Sequence, residues 1–105
     1  MQHVLVFAPI AATRTLYSQE LMRHHIIPYP VKDPAELFLQ LVTFEIDTLV
    51  LVDEDSTYHI SVVLDVLKRK YEHKRVIVVS PVALPRWVPR HFERLASTQD
   101  FFDLL

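Results

Sequence analysis

Residues 49–56 read LVLVDEDS: four apolar side chains run directly into three carboxylates, Asp53, Glu54 and Asp55. With Thr48 in front, TLVLV is apolar almost throughout, the composition of a central strand whose two sheet faces are both covered. Asp53 then stands at the carboxyl end of that strand, the rim where open parallel sheets place their ligands. Two further runs share this texture. HVLVFAP (3–9) ends at Pro9 and RVIVVSP (75–81) ends at Pro81, and each reads as a buried strand. IIPYPV (26–31) is extended but carries Pro28 and Pro30, which remove two ladder donors and place it at a sheet edge.

Helical patterns fall between these strands. Thr13 reads as the cap of a helix whose Leu16, Tyr17, Leu21 and Met22 form one stripe ending near His24. DPAE (33–36) reads as a capping box, with Asp33 as cap, Pro34 as first helical residue and Glu36 as reciprocal acceptor. Leu37, Phe38, Leu41, Val42 and Phe44 follow it. A third helix starts at Ser56 or Thr57 and carries Ile60, Val63, Leu64, Leu67 and Tyr71 at near-helical spacing. After Pro81 the pattern weakens: Pro81, Pro85 and Pro89 bracket a short helix or turn, 89–96 reads as a helical piece, and 98–105 as a fifth strand or a terminal helical turn. Strand and helix alternate, which predicts an α/β layered fold with a parallel sheet and right-handed crossovers.

Composition removes several function classes. The 105 residues suit one domain, and half of them are hydrophobic. With no cysteine, disulfides, thiolate catalysis and Cys-ligated metal sites are excluded; with no glycine, P-loops, dinucleotide fingerprints and EF-hands are excluded as well. The formal net charge is −2, but it is uneven: residues 66–105 hold eight of the eleven basic side chains, and residues 1–65 hold nine of the thirteen acidic ones. The six histidines show no metal-ligand spacing. No apolar run is long enough to span a bilayer, and the start lacks the basic region of a secretion signal, so no membrane insertion and a cytoplasmic location are expected.

The succession VLVFAPIAATRTL, TLVLVD and RVIVVSP resembles the receiver domain of bacterial two-component response regulators, across nearly the whole chain. That resemblance implies a three-layer flavodoxin-like (CheY-like) parallel sheet of order 2-1-3-4-5, with Asp53 at the phospho-acceptor position and Ser80 at the hydroxyl switch position. It also implies a degenerate member, a pseudo-receiver. The family's acidic pair, which holds magnesium, falls on Ala8 and Pro9; its conserved lysine falls near Leu104; and the last helix is expected to be absent.

Each singled-out residue also has a plain structural role. Asp53 can be a strand-end residue or helix cap, Ser80 can bond the backbone before Pro81, and Glu54 and Asp55 can sit favourably before a helix. The expected function is a non-catalytic protein–protein interaction or dimerisation module in bacterial signalling, with no catalytic residue and no cofactor. One alternative is a phosphorylatable receiver with Asp53 as acceptor, Ser80 as switch and Mg2+ held weakly by Asp53, Glu54 and Asp55. Another is a small-ligand or anion sensor at the carboxyl edge of the sheet. The chain reads as one receiver-like domain over 1–105, compatible with being the N-terminal domain of a longer protein. The expected partner is another protein, a fused domain or a second copy, rather than nucleic acid. For nucleic acid, the basic run Lys68, Arg69, Lys70, Lys74 and Arg75 and the sparse set Arg86, Arg90 and Arg94 are a weak footprint, more simply read as solvated surface. Without a covering helix, Trp87, Phe92, Leu95, Phe101, Phe102, Leu104 and Leu105 are expected to form the contact surface.

Overall fold

β1 (His3–Phe7), β3 (Thr48–Val52) and β4 (Arg75–Val79) lie side by side because their side chains alternate between two apolar layers. The computed structural model describes residues 1–54 and 60–105. β2 (Ile27–Val31) and β5 (Glu93–Leu95) complete a five-stranded, all-parallel sheet of order β2-β1-β3-β4-β5. Leu5 is in register with Leu49, and Val50 with Ile77. The helices are α1 (Ala11–Arg23), α2 (Pro34–Thr43), α3 (Ile60–Lys70) and α4 (Thr98–Phe102). Among the described residues, no helix is long and apolar enough to cross a membrane.

One face of the sheet packs Leu5, Phe7, Leu49, Leu51, Val76 and Val78 against Leu37 and Leu41 of α2 and Val63, Leu64 and Leu67 of α3. The other packs Val4, Val6, Val50, Val52, Ile77 and Val79 against Tyr17 and Leu21 of α1 and Phe101 of α4. The edge position of β2 follows from its prolines. Ile27 N–H donates to Gln2 O and Val31 O accepts from Ala8 N–H, so residues 27, 29 and 31 face β1. Pro28 and Pro30 occupy the outward positions, where they offer no donor to an added strand.

Local chemistry explains most helix ends. Asp33 caps α2 by accepting Glu36 N–H at 2.8 Å, while the Glu36 carboxylate accepts from Lys32 N–H at 3.2 Å, one residue before the expected partner. α1 ends in a Schellman arrangement, with His25 N–H on Met22 O and Ile26 N–H on Leu21 O. In a chain without glycine, His25 takes the left-handed position, φ 60°. The expected start of α3 at Ser56 or Thr57 lies outside the described residues.

Three expectations need correction. Thr13 does not cap α1: the cap is Ile10, and the Thr13 hydroxyl donates elsewhere. Leu16 and Met22 are exposed, leaving Tyr17 and Leu21 as the buried stripe. Residues 93–95, expected within a helical piece, instead form β5, because the ladder to Ile77–Val79 outweighs a weak local preference in a segment broken by Pro89. The last helix is reduced to α4, five residues long, and among the described residues the β4–β5 connection contains no helix.

Candidate functional site at the carboxyl end of the sheet

Beyond Val52 the main chain stays in register for one more residue. Asp53 N–H donates to Val79 O at 2.9 Å, which delivers its carboxylate to the rim of the sheet. There Asp53 Oδ2 accepts from the Ser80 hydroxyl at 2.9 Å. The same hydroxyl accepts from Val82 N–H at 3.2 Å. Ser80 N–H donates to Leu95 O at 2.9 Å, and Ser80 O accepts from Arg94 Nε at 3.0 Å. Ser80, 2% exposed, thus joins the ends of β3, β4 and β5 and fixes where the β4–β5 connection departs.

Glu54 turns toward the opposite neighbour. Its carboxylate accepts Ile10 N–H at 2.9 Å on one oxygen and the Thr13 hydroxyl at 2.5 Å on the other. A side chain from the end of β3 therefore satisfies donors at the start of α1, where a carboxylate also meets the positive end of the helix dipole. The β1–α1 turn is tied a second time by Arg14, whose guanidinium donates to Ala8 O at 2.7 Å and Pro9 O at 2.9 Å. Burial pushes the Tyr17 hydroxyl above its usual pKa; the bond with Thr98 works the other way, and the negative charge of Glu54 adds to the rise.

Two recesses flank Asp53. One, ≈340 Å³, lies between α1 and the β5–α4 turn and is lined by Thr13, Leu16, Glu54, Pro81, Ala96, Ser97 and Thr98, among others. The second, ≈200 Å³, is lined by Ile60, Ser61, Leu64, Ser80, Val82, Ala83, Leu84 and Pro85, among others.

Solved structures of similar shape identify the architecture. The response regulator TrrA from Thermotoga maritima, in complex with Mg2+-BeF, has a TM-score of 0.80 at 17% identity, over 99% of this chain and 93% of that chain. A structure of the histidine kinase ThkA in complex with TrrA gives 0.78 at 16% identity, over 98% and 90%. A response regulator receiver domain protein from Bacillus halodurans gives 0.76 at 17%, over 98% and 95%. The chain has the receiver-domain fold. No protein-family model matches the sequence, and no curated protein matches it.

Within the receiver fold, the described residues at the rim do not by themselves make up a donor set for a magnesium ion. Ala8 and Pro9 offer no carboxylate, Glu54 is engaged on both oxygens, and Asp53 is bonded through Oδ2 to Ser80. Asp55, the third candidate ligand, lies outside the described residues. Leu104, the position the resemblance implies for the family lysine, is not at the rim. β5 ends at Leu95, so Ala96 and Ser97 occupy the rim, whereas Leu104 lies beyond α4 and is exposed. No lysine follows Lys74, which donates to Ile46 O at the other end of the sheet.

The expected contact surface separates into inside and outside. Phe92 (4% exposed) and Phe101 (0%) are core residues and are not available to a partner; the sheet flank expected to be open is closed by α1 and α4. Leu95, Phe102 and Leu105 pack partly against the same core. Trp87 and Leu104 remain exposed. Reading the chain as sequence missed the Glu54–Ile10–Thr13 contact and the Arg94–Ser80 bond, because both join residues distant along the chain. The acidity of residue 54, directly after a central strand, was the available signal.

Proposed function

We propose that the chain is a receiver-like protein-interaction module, one domain over 1–105, that works without phosphoryl transfer at Asp53 and is not an enzyme. The observation that carries this reading is the engagement of both Glu54 oxygens by Ile10 N–H and the Thr13 hydroxyl. Phosphoryl transfer to a carboxylate needs positive charge around the transferring oxygens and a positioned metal. Asp53 has a hydroxyl neighbour at 2.9 Å, but Ala8 and Pro9 stand where the acidic pair would be, and no lysine follows Lys74. Arg94, the nearby cation, is directed to a backbone carbonyl instead.

The partner is another protein, a fused domain or a second copy, in the bacterial cytoplasm. TrrA in complex with the histidine kinase ThkA provides a precedent for a protein partner on this fold. The retained Asp53–Ser80 pair favours one rival, a phosphorylatable receiver that recruits Mg2+ at Asp53. Incubation with acetyl phosphate and Mg2+, read by intact mass, separates the two. An unchanged mass is expected; a labile phosphoryl addition that disappears in Asp53→Ala overturns the proposal.

A further inference from the structure

The β4–β5 connection contains a tandem repeat that the rim chemistry leaves unused: PRWV (85–88) followed by PRHF (89–92). Each quartet closes a tight turn, Val88 N–H donating to Pro85 O at 3.1 Å and Phe92 N–H to Pro89 O at 3.0 Å. In both, a proline opens the turn and the fourth residue is anchored in the core, Val88 at 7% and Phe92 at 4% exposure. The two middle residues are left outside. They are Arg86 and Trp87 in the first turn and Arg90 and His91 in the second, all exposed.

Neighbouring contacts hold this ridge in place. Lys68 Nζ of α3 sits 5.9 Å from the Trp87 ring centroid. His91 Nε2 bonds Glu72 O at 2.7 Å, and its ring stands edge-on to Phe92. Residues 81–92 contain no acidic side chain. Arg69 and Arg75 nearby are paired with Asp65 and Glu93, but among the described residues Lys68, Arg86 and Arg90 have no ion-pair partner.

Resting on the reading of the chain as an interaction module, we propose that this ridge docks an acidic polypeptide segment, with Arg86 and Arg90 taking its carboxylates and Trp87 an apolar side chain. Charge complementarity selects the occupant: guanidinium groups bind carboxylates through paired, planar hydrogen bonds, and tryptophan supplies a rigid apolar contact. A nucleic acid suits the ridge less well. Three cations make a small phosphate footprint, and the formal net charge of −2 opposes a phosphate polymer at long range.

Trp87 is the sole tryptophan, so its fluorescence reports directly on this surface. The chain is titrated with a short end-capped peptide in which glutamates alternate with alanines around one leucine. A saturable change in emission is expected, weakening as salt rises and roughly tenfold or more weaker in the R86E/R90E variant. R86Q/R90Q, with the same melting temperature as the wild type, is expected to fall between them. No saturable change, or equal affinity in both variants and wild type, overturns the proposal. Tighter binding of a single-stranded oligonucleotide of equal charge overturns the choice of a polypeptide. Acetyl-phosphate labelling of Asp53 would defeat the parent reading without altering this titration, whereas a silent titration with unlabelled Asp53 defeats this inference alone.

Discussion

The two faces of the sheet close their cores by different means. On the α2/α3 face, two full helices are joined by the helix-free 81–92 connection, which inserts Val88 and Phe92 and leaves its charged residues outside. On the α1/α4 face, one long helix works with a five-residue helix that delivers one fully buried ring, Phe101, and a partly buried one, Phe102. Phe101 is fully buried and stacks on Tyr17 at 5.5 Å, and Phe102 meets Tyr17 edge-on at 5.2 Å. Tyr17 also bonds Thr98 across the same junction at 2.7 Å. A shortened element can therefore cover a sheet face when it contributes well-placed aromatics, and aromatic content near a terminus does not by itself indicate an exposed surface.

The α4 junction is where that contrast breaks most easily. Phe101→Ala is expected to cost about 3–5 kcal/mol in urea unfolding, from lost burial plus a cavity. Leu104→Ala, a short way along and 47% exposed, should stay within about 0.5 kcal/mol. Similar losses at both positions would mean that α4 is not a plug. The opposite face offers a smaller version of the test. Phe92→Ala should cost about 3 kcal/mol, whereas Trp87→Ala, which removes an exposed ring and one cation contact, should cost about 1 kcal/mol or less.

The ends of the sheet sharpen the comparison further, since each is tied by a carboxylate that accepts main-chain donors. At the amino end Asp47 accepts Gln2 N–H at 3.2 Å, His3 N–H at 3.0 Å and the Thr48 hydroxyl at 2.8 Å. Burial pushes this carboxyl up, but the bonds from His3, Thr48 and Gln2, together with the N-terminal ammonium, outweigh it and hold the pKa below the usual aspartate value. A folded pKa below the unfolded one gives stability that is present above the unfolded pKa and is lost as pH falls through the folded one. Asp47→Asn should therefore cost on the order of 1 kcal/mol at neutral pH, the worth of exposed hydrogen bonds. It should converge with the wild type in acid below the depressed pKa, as followed by urea unfolding across pH.

Much of the scaffold is legible in the sequence where local chemistry decides it. TLVLV marks a central strand, Pro28 and Pro30 mark an edge, and DPAE marks a helix start, each because a short stretch contains its own reason. β5 is not legible, since Glu93–Leu95 becomes a strand only through its ladder with β4. The site divides the same way. Asp53 and Ser80 follow from their strand ends and the receiver resemblance, but the role of Glu54 depends on Ile10 and Thr13, more than forty positions away. Likewise, Phe92 and Phe101 read as surface until the short α4 and the two proline turns place them inside.

The proposed reading rests on Glu54 being held by donors at the start of α1, and so not free to ligate a metal at the rim. It is tested most directly by following the Ile10 amide resonance in 15N-labelled protein while Mg2+ is raised through the millimolar range. The account predicts no saturable shift at Ile10 in the wild type and a large shift of that amide in Glu54→Ala without any metal. A saturable Mg2+-dependent shift at Ile10 that is abolished in Asp53→Ala would contradict it.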